Sequence, residues 1–421
     1  MVKIPNPKSS AEGGSASGGQ IPNSGETRPR RLLVVAGEES GDKHAAKLIA
    51  ELLRRDPSCE IRAAGGEKMA AAGAGLVFNL VDLAVLGSVE VLRNYFRLRK
   101  IFYGLLSCME EWKPDAVVLV DYPGFNIRLA KKIRARRLPV RVIYYISPQV
   151  WAWGTRRKKT IARNVDRMLV ILPFEKEFYG DTALPVESVG HPMLEDLRFE
   201  RGEREFSACA GLSAGARVVA LLPGSRWNEV RLHLPVMLAA AAIMKREMPG
   251  LEFITPAPRE AFRAFTGSAL AASPVPVRVA PGSVYESIRA AELVLVASGT
   301  ATLETACLLK PMLIIYRVAW PTYLLGRALV KLPYIGLVNV IAGRKIMPEL
   351  IQHDASPAGI AAAGLDWLRD RGAYEAAVEE LRAVRARVGE PGASARAAAA
   401  VLAEIARPIA ADPSTHSGER P

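Results

Sequence analysis

Three small groups of side chains in this sequence have the types and spacing of a group-transfer site. The first is acidic. Asp121 follows the apolar run Ala116–Val120 and precedes the turn Tyr122, Pro123, Gly124. A carboxylate at the carboxyl end of a buried strand points into the crevice above a parallel sheet, where it can serve as a general base. The plainer reading is an aspartate that stabilises a turn or caps a helix. Glu38 follows the run Arg31–Ala36 inside a glycine-bounded loop, Gly37–Gly41. It is the second candidate acid, or a loop acid near a helix N-terminus. The second group is the turn Pro223–Arg226 after Val218–Leu222. Its Arg226 guanidinium can grip a diphosphate through charge-assisted bonds. The third is Ala297–Glu304, where the apolar run Leu293–Val296 passes through small residues into a helix beginning near Thr302. Free backbone N–H groups and a positive helix end then coincide at Ser298, Gly299 and Thr300, which suits a phosphate. The hydroxyls of Ser298, Thr300 and Thr302 add donors, and Glu304 can face a ribose diol. An ordinary strand-to-helix turn capped by Thr300 is the alternative. Asn339 either binds substrate or stabilises a loop. His191, in the Gly190–Pro192 turn, reads as structural.

These groups need a scaffold of strands that end together. The pattern supplies one twice. Arg31–Ala36 leads through the Gly37–Gly41 loop into a helix with Ala45, Leu48, Ile49, Leu52 and Leu53 on one face. Strands follow at Glu60–Ala63, Ala116–Val120, Arg141–Ile146, Met168–Ile171 and Val186–Val189. Between about Asp196 and Ala216 charged and small residues replace the periodic apolar ones, and the alternation restarts. The second half has strands at Val218–Leu222, Phe253–Ile254, Val277–Val279, Leu293–Val296 and Met312–Tyr316. Two α/β halves in series, each ending its strands in small polar loops, imply a cleft between them. The expected division is a disordered leader over 1–30, domains over 31–196 and 197–364, C-terminal helices packing back over 365–407, and a disordered tail over 408–421.

Composition narrows the partners. The 421 residues carry a formal net charge of +13 and are 50% hydrophobic. That balance favours anionic partners, whether phosphorylated substrates, anionic lipid or nucleic acid. The four cysteines stand singly, without a CxxC pair, so neither zinc nor a disulfide framework is indicated. A reducing cytoplasm fits best. No Asp-x-Asp metal motif stands near the diphosphate candidates, and no cofactor is expected. No apolar run reaches the roughly 18–20 residues that span a bilayer. Peripheral contact is another matter. Over Leu83–Leu106, Val89, Leu92 and Phe96 form one apolar stripe and Val91, Tyr95, Leu98 and Phe102 another, with Arg93, Arg97, Arg99 and Lys100 interleaved. A helix lying on an anionic membrane has this pattern, and so does a core helix with a basic outer face. From Arg128 to Arg163 every charge is positive, around Ser147–Trp153. Trp151 and Trp153 beside these cations suit a membrane interface or a sugar platform. A nucleic-acid surface is the rival, but no nucleic-acid motif accompanies it.

In order along the chain, these stretches resemble the lipid-A-disaccharide synthases, glycosyltransferases of the bacterial lipid A pathway. The resemblance rests on AGEESGD at Ala36–Asp42, DYPGFN at Asp121–Asn126, SPQVWAW at Ser147–Trp153 and LPFEKEFY at Leu172–Tyr179. It continues through VGHP at Val189–Pro192, LPGSR at Leu222–Arg226, ASGTATLE at Ala297–Glu304 and NVIAGR at Asn339–Arg344. It implies a GT-B fold, two Rossmann-like domains facing a cleft, with donor on the second and acceptor on the first. The implied reaction joins UDP-2,3-diacylglucosamine to 2,3-diacylglucosamine 1-phosphate with inversion, releasing UDP. Asp121 is then the base, with Glu38 second, while Arg226, Ser298, Gly299, Thr300, Thr302, Glu304 and Asn339 hold substrate. Val89, Leu92, Phe96, Trp151 and Trp153 become membrane or acyl contacts of a cytoplasmic protein held peripherally at the inner membrane. Nucleic acid is not an expected partner. A homodimer, by exchange of the helical C-terminus between protomers, is left open. The family often has a second aspartate in the DxPDFN turn; here that position is Gly124, which narrows the base in this loop to Asp121. A sugar-nucleotide epimerase of the same fold is the rival enzyme.

Overall fold

The structure is a computed structural model that describes residues 28–81, 91–152, 154–329 and 333–407. Two parallel sheets dominate it. The first is built from β1 (Arg31–Ala36), β2 (Glu60–Gly65), β3 (Gly75–Asn79), β4 (Ala116–Val120), β5 (Arg141–Tyr145), β6 (Arg167–Val170) and β7 (Val186–Ser188). Its strand order is β3-β2-β1-β4-β5-β6-β7. The second contains β8 (Arg217–Leu222), β9 (Leu251–Pro256), β10 (Val277–Ala280), β11 (Leu293–Ala297), β12 (Met312–Tyr316) and β13 (Glu349–Ile351), in the order β10-β9-β8-β11-β12-β13. Helices cover both faces, so central strands must be apolar on both sides. β1 and β4 meet that demand: Leu32 to Val35 and Val117 to Val120 are fully buried. At about 1.5–3 kcal/mol for each fully buried aliphatic side chain, such strands anchor each domain.

Strands β3 and β13 do not stand out in the sequence. β3 is a partly exposed edge strand, and β13 has only three residues, too short to show a period. The helical stripes of 83–106 divide. In helix Val91–Trp112, Leu98 and Phe102 pack into the first core while Phe96 is exposed. Val89 and Trp153 lie outside the described residues, as does the side chain of Leu92.

The strand orders place the functional loops. In an open parallel sheet, ligands bind beyond the carboxyl ends of the two strands where the winding reverses. In the first sheet those strands are β1 and β4, whose ends pair Ala36 with Val120. The next residues are the Gly37–Gly41 loop with Glu38, and Asp121. In the second they are β8 and β11, paired to Leu222 and Val296. The next residues are Pro223–Arg226 and Ala297–Thr300. Both reversals therefore open on the residues singled out by chemistry.

The chain passes between domains twice, through 189–202 and back through 389–392. Helices Pro357–Arg369 and Arg371–Val388 pack on the second domain, and only helix Ala393–Ala406 returns to the first, against helix Glu39–Arg55. There the buried Glu404 accepts from Arg141 (2.8 Å) and Arg167 (3.3 Å) at the starts of β5 and β6. Arg396 ties the two crossings together, donating to the carbonyls of Val189 (2.8 Å), Glu390 (2.7 Å) and Pro391 (3.0 Å). Gly190 leaves it room: φ is +79° there, and a Cβ would stand 2.8 Å from the Arg396 guanidinium. His191 is indeed structural, being buried with its Nδ1 accepting from the Met193 N–H. Burial, helped by neighbouring His44, holds its pKa down at about 3. No helix among the described residues is long and apolar enough to cross a membrane.

Candidate active site

Asp121 sits in a turn that the backbone would not adopt unaided. Asp121 and Tyr122 have φ of +45° and +48°, left-handed values that cost non-glycine residues on the order of 1–3 kcal/mol each. Local bonds hold the turn. The Asp121 N–H donates to the Tyr145 carbonyl (3.1 Å), and the Asp121 carbonyl accepts from the Tyr144 hydroxyl (2.6 Å) and the Asn126 amide (2.8 Å). Asn126 is fully buried in the first turn of helix Pro123–Ala135. The Tyr122 ring lies over Gly37, where a Cβ would fall 2.1 Å from it. The two loops at the first reversal are thus interlocked, which explains a glycine directly after β1. Burial raises the Asp121 carboxyl to about 6, and the charge of Glu38 adds to the shift. Glu38 is exposed at the N-cap of helix Glu39–Arg55. A half-buried acid titrating near neutrality suits proton abstraction. Asp42, in the same loop motif, is structural: it is buried and accepts from the Gly66 (2.8 Å) and Lys68 (3.2 Å) N–H groups.

The second domain brings its expected residues to one cavity of about 1050 Å³, which Arg226, Ser298, Gly299, Thr300 and Glu304 line. Ser40, Gln149, Trp151 and Ala152 of the first domain line it too. Asp121 and Glu38 are outside this lining, Glu38 being two residues before Ser40. Arg226 is exposed and tethered by Glu229, whose carboxylate accepts from the Ser225 (2.8 Å) and Arg226 (3.2 Å) N–H groups and the Arg226 guanidinium (3.2 Å). Helix Thr300–Cys307 opens on the cavity, and a Cβ at Gly299 would meet only open space. The Thr302 N–H donates to the Gly299 carbonyl (3.1 Å) and the Ser298 N–H, expected to be free, donates to the Ile315 carbonyl (3.0 Å). The Thr300 and Ala301 N–H groups stand at the helix start, where the α-helical ladder gives them no partner. Glu304 is mostly buried and takes the Tyr285 hydroxyl (3.2 Å). Burial raises its pKa, while Tyr285 and the Lys43 charge from the first domain pull it back.

Several expectations are corrected. Asn339 is fully buried, and every position on its amide is taken: it donates to the Met347 carbonyl and Glu349 (2.8 Å each) and accepts from the Ile346 and Met347 N–H groups (2.9 Å each). It holds a loop and has no donor or acceptor left for substrate. Thr302 is buried and donates to the Gly299 carbonyl (2.8 Å), so its hydroxyl shapes the turn. The Ser298 hydroxyl donates to the Ile335 carbonyl (2.9 Å). Trp151 is part of the cavity wall, half-buried, with its indole N–H on Glu175; the platform reading suits that position and the outer-surface one does not.

Other residues escaped sequence reading. Arg259 lines the cavity from the loop after β9 and pairs across it with Glu39 (3.0 Å). Its place just beyond a strand beside the reversal was the available signal. His233 braces the Arg226 turn from below. Its Nε2 accepts from the Arg317 N–H (3.0 Å), so Nδ1 carries the proton and donates to the Pro223 carbonyl (3.0 Å). Among the described residues no group of three or more His, Cys, Asp or Glu side chains is arranged to hold a metal ion.

Comparison with known proteins bears on the family and the fold. A family model described as lipid-A-disaccharide synthetase matches residues 32–403. The lipid-A-disaccharide synthase of Myxococcus xanthus is 41% identical over 89% of this chain and 98% of its own length. That of Geobacter sulfurreducens is 40% identical over 91% of this chain and its entire length. Among solved structures, UDP-GlcNAc 2-epimerase from Neisseria meningitidis, bound to UDP-GlcNAc, superposes with a TM-score of 0.61 at 13% identity over 89% of this chain and all of its own. Acinetobacter baumannii MurG does so at 0.55 and 15% identity, over 89% of this chain and all of its own. At such identities these two show the fold, that of the GT-B glycosyltransferases. The sequence matches go further: this chain belongs to the lipid-A-disaccharide synthase family, glycosyltransferases of lipid A biosynthesis.

Proposed function

We propose that the cavity condenses UDP-2,3-diacylglucosamine with 2,3-diacylglucosamine 1-phosphate to the β-1,6-linked disaccharide 1-phosphate, releasing UDP. The observation that carries the reading is the two-sided cavity: Arg226, Gly299, Thr300 and Glu304 on one wall, Gln149 and Trp151 on the other. The diphosphate lies at the start of helix Thr300–Cys307, where open N–H groups and the helix end favour anions. Arg226 adds charge-assisted bonds as negative charge grows on the leaving UDP. Glu304 holds the ribose. The acceptor's 6-hydroxyl is a weak nucleophile, so a base must take its proton as the new bond forms on the face opposite the departing UDP. Asp121 does this, with burial, and the Glu38 charge after it, keeping its pKa high enough to bind a proton near neutrality. Direct displacement inverts the anomeric centre.

Both substrates carry acyl chains, so the protein works at a membrane surface. Helix Val91–Trp112 supports this with exposed Phe96 and Tyr103 among Arg97, Arg99 and Lys100. The apolar and cationic groups together suit an anionic bilayer, here the cytoplasmic face of the inner membrane. The test is an assay of purified protein with both acylated substrates in mixed micelles. UDP release that depends on acceptor, with one disaccharide product, is expected. Conversion of the UDP-sugar without acceptor would favour the epimerase instead.

A further inference from the structure

Glu175 is a buried carboxylate that the mechanism above leaves unused. Only 1% of its surface is exposed. Its Oε2 accepts from the N–H groups of Ile171 (3.2 Å) and Leu172 (3.0 Å), and its Oε1 accepts from the Trp151 indole (3.2 Å). The two backbone bonds close the first turn of helix Pro173–Phe178, as a capping glutamate does. The third leaves that frame and reaches an irregular loop that follows β5. This loop, Ser147–Ala152, carries the first-domain wall of the cavity through Gln149, Trp151 and Ala152. It is fastened at its other end as well, where the Ser147 and Tyr179 hydroxyls, both on buried residues, lie 3.2 Å apart. Phe174 meets the Trp151 ring edge-on, with centroids 4.9 Å apart. The indole is therefore held by its N–H, by the Phe174 ring and by packing against the core, and it also lines the cavity.

We propose that Glu175 is a positioning residue for glycosyl transfer: its bond to Trp151 sets the indole as the surface on which the acceptor sugar lies. This rests on the glycosyltransferase reading of the cavity. A sugar ring presents an apolar C–H face, and a rigid aromatic ring gives that face a large contact at little entropic cost. The ring must be held at one angle to do so. A buried carboxylate is costly unless its oxygens are paired, so Glu175 needs the indole as much as the indole needs Glu175. Burial raises Glu175 to about 7 against the pull of its three N–H partners, and the Asp121 charge raises it further.

The test compares Trp151→Phe, which keeps a ring and removes the donor, with Glu175→Gln, which keeps the shape and turns an amide toward the indole. Calorimetry in mixed micelles gives acceptor and UDP affinities, and steady-state kinetics gives KM and kcat. Each single variant should weaken acceptor binding about five- to tenfold, the loss expected for one hydrogen bond and its orientation. UDP affinity should stay within about twofold of wild type. The double variant should be no weaker than the weaker single, because both remove the same bond. Unchanged acceptor affinity in Trp151→Phe overturns the proposal, as do losses that multiply in the double variant. Should Glu175→Gln fail to fold by circular dichroism, Trp151→Phe alone decides. Wild-type protein that binds UDP yet neither binds nor uses the acceptor overturns the underlying reading as well.

Discussion

Asp121 has to be ionised to take a proton from a sugar hydroxyl, and its surroundings oppose that charge. With a pKa raised to about 6, log(kcat/KM) should fall with unit slope as pH drops below about 6 and level off above it. A flat profile from pH 5 to 8 would remove Asp121 from the mechanism. Asp121→Asn should cut kcat by about 10²–10⁴-fold while UDP affinity is unchanged. The same variant should gain stability. The folded pKa lies above the unfolded one, so ionising Asp121 penalises the fold at pH above about 6, and the penalty disappears below the unfolded value near 4. Asparagine also tolerates the left-handed backbone found there. The Tm of Asp121→Asn should therefore exceed that of wild type at pH 8, with the difference vanishing by pH 4; a lower Tm at pH 8 contradicts the burial account. Residue type in the loop after β8 and in the helix after β11 made Arg226 and Glu304, which line the cavity, legible in the sequence. Asn339 and Thr302 were misread because sequence does not show which polar groups the fold itself consumes. Asn339 is consumed by Ile346, Met347 and Glu349, all within ten residues of it.

At the scale of elements, the site depends on two loops pressed together where the first sheet reverses. Gly37 admits the Tyr122 ring, and any side chain there collides with it. Gly37→Ala should displace Tyr122, release the strained turn and lower kcat at least tenfold, by the sensitivity of catalysis to small misplacements. Since Gly37 is far along the chain from the second domain's loops, UDP affinity should be unaffected; equal damage to both would mean a general loss of fold. The long apolar strands β1, β4, β8 and β11 were readable from β-branched runs bounded by glycine loops. β13 was not: three residues cannot show alternation, and its Glu349 is spent on Asn339 and on the Ile335 and Gly336 N–H groups. Likewise, the left-handed turn at Asp121–Tyr122 leaves no sequence mark, because neither residue is glycine.

Across the whole molecule, two domains must hold a shared cavity while remaining joined by only two crossings. Arg396 bonds to both of them, and Arg396→Ala should free three carbonyls at once. Proteolysis at 389–392 should become faster and turnover lower, with each domain's secondary structure intact by circular dichroism; unchanged proteolysis would mean the crossings are held elsewhere. Two doubly wound halves were evident from the restart of the strand pattern after 196. The return of the last helix to the first domain was less so, because an alanine-rich amphipathic helix does not name its partner. It took Glu404, meeting Arg141 and Arg167, to show where it docks. The central claim is that Asp121, outside the cavity's lining on the first-domain side, takes the proton of an acceptor whose donor is gripped by its diphosphate on the second-domain wall. A crystal structure of the Asp121→Asn variant with UDP-sugar and acceptor tests it most directly. The account predicts the diphosphate at Arg226 and Thr300, the ribose at Glu304, and the acceptor's 6-hydroxyl within about 3 Å of the residue-121 side chain. A donor bound outside this cavity, or an acceptor hydroxyl held away from residue 121, would contradict it.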